Sequence, residues 1–230
     1  MTLFLLTKEK AMKKRNLFFD LDGTIIDSYP GISNSVNYAA RKLGSPELPD
    51  ELLRKFIGPP LVDSFMKYME CDRDKANEYL EAYREYYRVQ GIYEFLLFGG
   101  IYEAIKTLSK SYSLYVTTSK PKVFTEIILK KAELFNDFCY ISGADLEGKH
   151  NSKADIVNYV INKFSLKAEE CALIGDTGFD GEGAQIAGID FYAVSYGFGT
   201  MEELLSYKPV KIFDTAYAMT KYFEGEKDGN

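Results

Sequence analysis

Short apolar runs alternate with longer stretches of helical periodicity along most of this chain. The runs occupy residues 17–20, 114–118, 138–142, 171–175, 191–195 and 210–213. They are short, apolar and bounded by turn formers or charged residues, as expected for strands buried on both faces. Between them, residues 101–109, 121–134 and 153–164 repeat apolar positions at helical spacing, and Ser152 stands where an N-cap belongs. Strands alternating with helices predict an α/β fold, a doubly wound and mostly parallel sheet. One block breaks the alternation. From residue 30 to 93 there is no strand candidate. Ile32, Val36, residues 38–40 and Leu43 mark an amphipathic helix that stops at Gly44, and residues 50–57, 61–69 and 75–89 continue the helical pattern. The expected organisation is an α/β core formed by residues 1–29 and 94–230, with an all-helical insert at 30–93.

Composition narrows the function classes. The chain has 230 residues, 46% hydrophobic and 27% charged, enough for a large core plus an inserted unit. A net charge of −6 argues against nucleic acid as a partner, because phosphate neutralisation needs a basic surface. His150 is the one histidine, so a multi-histidine zinc site is excluded and a Ser-His-Asp triad would have to use it; it reads as a loop residue. Cys71, Cys139 and Cys171 are widely spaced and odd in number, which suits reduced thiols in a cytoplasmic protein. The apolar start of the chain is too short to span a membrane and lacks the flanks of a signal peptide, so no membrane partner is expected. Met12 precedes Lys13, Lys14 and Arg15, and residues 1–11 read as an N-terminal extension ahead of the core. A monomer or a homodimer is expected.

Candidate chemistry gathers at three strand ends. The first reads Asp20-Leu21-Asp22-Gly23-Thr24. Two carboxylates one residue apart on an extended segment lie on one side. They repel each other and raise one pKa unless a cation sits between them. The second end reads Thr117-Thr118-Ser119-Lys120, and the third Gly175-Asp176-Thr177-Gly178-Phe179-Asp180. In a parallel sheet all three open on the same edge, where such sheets keep their ligands. Lys153 opens the helix between the second and third.

These motifs, in this order, resemble the haloacid dehalogenase superfamily of aspartate-nucleophile phosphohydrolases. The resemblance runs over essentially the whole chain after residue 15. It implies a Rossmann-like core in which Asp20 is the nucleophile that forms an aspartyl-phosphate, and Asp22 the general acid and then base. It implies Mg²⁺, a hard cation suited to few carboxylates plus phosphate and water. The metal set is Asp20, the Asp22 carbonyl and Asp176, with Asp180 on a metal-bound water or orienting the others. Phosphate binding falls to Thr118, with Thr117 one residue earlier as the alternative, to the Ser119 backbone N–H, and to Lys153, with Lys149 and Lys120 as alternatives. Lys153 is followed by alanine where the family often has proline.

The helical insert resembles the cap that many members carry after the first motif. Phe56-Ile57-Gly58-Pro59-Pro60-Leu61 is similar to the cap loop of phosphoglycolate phosphatase-like members. The implied activity is a Mg²⁺-dependent phosphomonoester phosphatase acting on a small phosphorylated metabolite. Alternatives are a sugar-phosphate mutase similar to β-phosphoglucomutase, a 5′-nucleotidase, or an aryl or tyrosine phosphatase. A phospho-accepting module like a response-regulator receiver is the rival from another class. The Tyr-rich stretch from Tyr79 to Tyr93 reads as packing surface, and Gly181 and Gly183 as close-packing positions in a helix.

Overall fold

A computed structural model describes residues 14–144 and 152–228. The expectations for residues 1–11, Lys149 and His150 lie outside the described residues.

The strands are β1 (Asn16–Phe19), β2 (Ile26–Asp27), β3 (Leu96–Leu97), β4 (Ser113–Pro121), β5 (Tyr140–Ala144), β6 (Cys171–Gly175), β7 (Asp190–Val194) and β8 (Lys211–Phe213). The helices are α1 (Tyr29–Lys42), α2 (Asp50–Leu53), α3 (Leu61–Tyr68), α4 (Arg73–Val89), α5 (Ile101–Leu108), α6 (Lys122–Lys131), α7 (Lys153–Phe164), α8 (Gly178–Ala187), α9 (Met201–Ser206) and α10 (Ala216–Asp228). Six strands pair in parallel in the order β5-β4-β1-β6-β7-β8. The strand order therefore reverses at β1, and that switch point opens a crevice at the strands' carboxyl ends.

The pleat of β1 explains why its sequence is apolar throughout. Leu17 and Phe19 enter a core that includes Ile101 and Ile105 of α5 and Met219 and Phe223 of α10. Phe18 faces the other way, into a second core with Val157 and Val160 of α7, Ala184 of α8 and Leu204 of α9. A strand covered on both sides cannot alternate apolar with polar. Phe18 also stacks on Tyr115 of the neighbouring strand, ring centroids 5.0 Å apart.

Helices α1 to α4 occupy the stretch between β2 and β3, as the periodicity predicts. Their apolar faces meet around Phe65, stacked on Tyr79 at 5.3 Å, and this core is continuous with the α5 and α10 face of the sheet. Tyr79, Tyr83 and Tyr87 are buried, in keeping with a packing role for α4.

Helices α9 and α10 have no counterpart in the sequence pattern, and the other differences from it are local. Strands β2 and β3 form a two-residue antiparallel ribbon at the two crossings into the helical stretch, and neither is visible in the sequence because two residues show no period. The 138–142 strand is shifted to Tyr140–Ala144. Helix α4 begins earlier than its first apolar position, because Asp72 accepts the Lys75 N–H and caps it. Helix α6 stops at Lys131, before the expected 134, and Glu133 beyond it has a left-handed φ of 58°. Among the described residues, no helix is long and apolar enough to cross a membrane.

Candidate active site

Asp20 follows the last residue of β1, and its N–H donates to the Ile174 carbonyl of β6 at 2.9 Å. The sheet therefore delivers this carboxylate to the switch point with a fixed backbone. Lys153, in the first turn of α7, reaches it at 2.7 Å and reaches Asp180 at 2.8 Å. The same ammonium donates to the Thr117 carbonyl at the end of β4, at 3.0 Å. Three elements thus converge on one cation. Two further observations explain its aim. Ser152 accepts the Asp155 N–H and fixes the start of α7, as its N-cap position predicts. Gly183 of α8 lies against the lysine stem, and a Cβ there would overlap it. Close packing was the expected reason for Gly183, and the neighbour it admits is Lys153.

Asp176 directly follows β6 and is fully buried. Its oxygens accept from the Thr24 hydroxyl at 3.1 Å and the Phe198 N–H at 2.8 Å. Gly23, with a φ of 84°, turns the chain so tightly against this carboxylate that a Cβ would overlap it; Gly197 closes in from another side. Tyr196 donates to the Thr24 carbonyl at 3.1 Å and ties the two loops together. Thr24, Tyr196, Gly197 and Phe198 were not among the expected site residues. A fourth strand end, Gly197-Phe198-Gly199 after β7, was the available signal.

Asp180 has little left to offer a ligand. One oxygen accepts the N–H groups of Asp176 and Thr177 at 3.2 and 3.1 Å and the Thr177 hydroxyl at 3.0 Å, while the other meets Lys153. A carboxylate so occupied orients its neighbours. Asp22 is turned to a different lysine: both of its oxygens accept from Lys120, at 2.7 and 2.9 Å. Lys120, an alternative for the phosphate lysine, thus pairs with Asp22, while Lys153 pairs with Asp20. At the end of β4 the Thr118 hydroxyl accepts the Lys120 N–H at 3.2 Å. The Thr117 hydroxyl is buried without a hydrogen-bond partner among the described residues, and Ser119 is exposed.

Oxygens of Asp20, Asp176 and Asp180 lie within 4.8 Å of one another. Burial pushes the Asp20 carboxyl up to about 6; Lys153 opposes this, and Asp180 and Asp22 add to it. Burial likewise holds Asp176 well above the usual carboxylate range, helped by Asp180 and Asp20. Burial acts to lower Lys153, but the Asp180 and Asp20 carboxylates outweigh it and keep its ammonium charged. With Asp22 and Lys120 included, four carboxylates face two ammonium groups. With all four ionised the balance is two negative charges, which burial opposes by raising Asp20 and Asp176, and all the donors are hard oxygens. Such a buried acidic cluster can hold a divalent metal.

Residues 17–194 match the family model described as haloacid dehalogenase-like hydrolase. The chain is 38% identical over 203 residues to a 5′-nucleotidase of Pseudomonas aeruginosa, covering 88% of this chain and 92% of that one. It is 26% identical over 215 residues to a phosphoglycolate phosphatase of Colwellia psychrerythraea, covering 90% and 95%. Among solved structures, a haloacid dehalogenase-like hydrolase from Streptococcus pneumoniae superposes with a TM-score of 0.86 at 37% identity, over 91% of this chain and 98% of that one.

Proposed function

The chain belongs to the haloacid dehalogenase-like hydrolase family and is a phosphatase of that family; on that premise we propose that it is a Mg²⁺-dependent phosphomonoesterase acting on a small phosphorylated metabolite, by way of a phosphoryl group carried on Asp20. The observation that carries this reading is the placement of Asp20 at the sheet's switch point, paired with Lys153 and grouped with Asp176.

In-line phosphoryl transfer asks for a held nucleophile, neutralised charge and a proton for the leaving oxygen. Asp20 attacks phosphorus, and the ester bond to the leaving oxygen breaks. Asp22 gives that oxygen its proton, then takes one from the water that hydrolyses the aspartyl-phosphate. Lys153 offsets charge on the phosphoryl oxygens and restrains Asp20. Thr118 and the Ser119 N–H offer further donors. The Asp20 and Asp176 side chains and the Asp22 carbonyl would hold Mg²⁺, which when bound neutralises the cluster and the phosphate; Asp180 holds Lys153 and the end of β6 in place.

We further read residues 1–29 and 94–230 as the catalytic core and 30–93 as a helical cap whose approach excludes water from the site. Phosphoglycolate-like esters are the first substrate class to try, and nucleoside 5′-monophosphates the second, since the 38% identical relative bears a nucleotidase name. The test is phosphate release across a panel of phosphorylated metabolites, with Mg²⁺ and with chelator. Wild-type release should need the metal, and Asp20→Asn should abolish it while the thermal transition stays intact. Near-normal release by Asp20→Asn, or release unaffected by chelator, overturns the proposal.

A further inference from the structure

We propose that Lys120 is a positioning residue for Asp22, and that Tyr87 of α4 anchors it from the helical stretch. This rests on the reading of Asp22 as the group that moves the proton. The lysine engages both oxygens of Asp22, at 2.7 and 2.9 Å. A two-point grip fixes the rotation of the carboxyl group. Each oxygen keeps a further lone pair beyond the one that Lys120 engages. The pair is shielded from water: the Lys120 side chain is 9% exposed and that of Asp22 14%. Exposed ion pairs hold little geometry, whereas shielded ones do.

The lysine is itself placed by features that an ordinary surface lysine does not need. The register of β4 against β5 shifts between Thr118 and Pro121, so the chain bulges where Lys120 sits. Its N–H donates to the Thr118 hydroxyl at 3.2 Å. Gly143 on β5 admits the bulge, because a Cβ there would overlap the Lys120 carbonyl. The Tyr87 ring centroid lies 5.5 Å from the ammonium, a cation–π distance. Tyr87 is stacked on Tyr83 at 5.3 Å and set edge-on to Phe124 of α6 at 5.5 Å, so its ring cannot drift. One element of the sheet and one of the helical stretch therefore meet at the group that holds Asp22.

The experiment exploits the leaving group. An alkyl phosphate needs protonation of its departing oxygen, and p-nitrophenyl phosphate does not. Positioned acid catalysis contributes on the order of 10²–10⁴-fold, and misplacing such a group forfeits part of it. Lys120→Met should lower kcat/KM, which reports the step that expels the leaving group and not the hydrolysis of the aspartyl-phosphate common to all esters, by about 10–100-fold for the best alkyl ester and by less than about 3-fold for p-nitrophenyl phosphate, the aryl value reporting that the protein is folded. Lys120→Arg should recover most of the alkyl rate, and Tyr87→Leu should show the same selectivity at smaller size. Lys120→Met added to Asp22→Asn should cost nothing further. Equal losses on both esters, or additivity in the double variant, would overturn the proposal. If Asp22→Asn itself shows no leaving-group selectivity, the assigned role of Asp22 fails and the proposal falls with it. If Asp22→Asn is selective and Lys120→Met is not, only the proposal falls.

Discussion

Asp20 and Asp22 are one residue apart and carry the same charge, and each meets a lysine at 2.7 Å, yet the two pairs are built differently. The Asp20 pair belongs wholly to the α/β layers. Its lysine rises from α7, passes Gly183 of α8, and bonds Thr117 of β4 and Asp180 as well as Asp20. The Asp22 pair stands on a bulge at the end of β4 and is covered by an aromatic ring from the helical stretch. Buried charges that share partners stand or fall together, and removing one leaves the others uncompensated. A pair at a seam has fewer partners to lose. The nucleophile side thus resembles framework, and the proton-transfer side can respond to what packs on it.

The largest test of that contrast is Lys153→Met. It leaves Asp20 and Asp180 buried without their cation, so activity should fall by more than about 10³-fold. Stability should fall by roughly 3 kcal/mol, a drop of about 6–12 °C in Tm for a chain of this size. Calorimetry and single-turnover kinetics on one preparation would check both.

Metal addition comes next. The folded protein holds a proton on Asp20 up to about pH 6, whereas the ordinary carboxylate value is 3.8. Between those values the folded state binds more protons than the unfolded one. Metal-free stability therefore falls as pH rises through that window, and the raised Asp176 acts in the same direction. Mg²⁺ should restore it, raising Tm by about 5–10 °C at one hundred times its Kd. At one fixed Mg²⁺ concentration the rise should be larger at pH 7.5 than at pH 5, where protons compete for the same oxygens. An equal or reversed effect at the two pH values would mean that these carboxylates do not hold the ion.

A smaller effect is expected from Gly183→Ala, which presses on the stem of Lys153 without removing any charge. Overpacking of this kind costs about 1–3 kcal/mol, and kcat should fall for alkyl and aryl esters alike. Lys120→Met leaves one partly shielded carboxylate without its cation instead of two buried ones, so its drop in Tm should be less than half that of Lys153→Met. If it destabilises as much as Lys153→Met, the two sides are not built differently.

Much of this arrangement can be read from sequence, and the reasons for the rest are physical. Strand β6 and helix α7 fall where the pattern places them, because an unbroken apolar run and a capped amphipathic stretch are local signals. The convergence of Asp20, Lys153, Asp176 and Asp180 also follows, since a parallel sheet sends all its strand ends to one edge. The pairing of Lys120 with Asp22 does not follow. It depends on a bulge, on Gly143 two strands from β1, and on a ring from α4, none of which any short window contains. The cradle around Asp176 was missed for a related reason. Its N–H donor, Phe198, lies 22 residues further along, in a loop with no charge to draw attention to it.

The ribbon of β2 and β3 has a consequence for how such a chain can change over generations. Ile26 pairs with Leu97 and Asp27 with Leu96, so the way into the helical stretch and the way out run side by side. Paired strands are about 5 Å apart. Everything between them begins and ends at almost one point in space. A segment attached in that manner is interchangeable in principle. It can be lengthened, shortened or exchanged for another without moving β1, which carries Asp20, while the Lys120 side feels the exchange through the ring that covers it. The two-residue ribbon is in this sense a socket, and it lets the nucleophile stay put while whatever is plugged in above it varies.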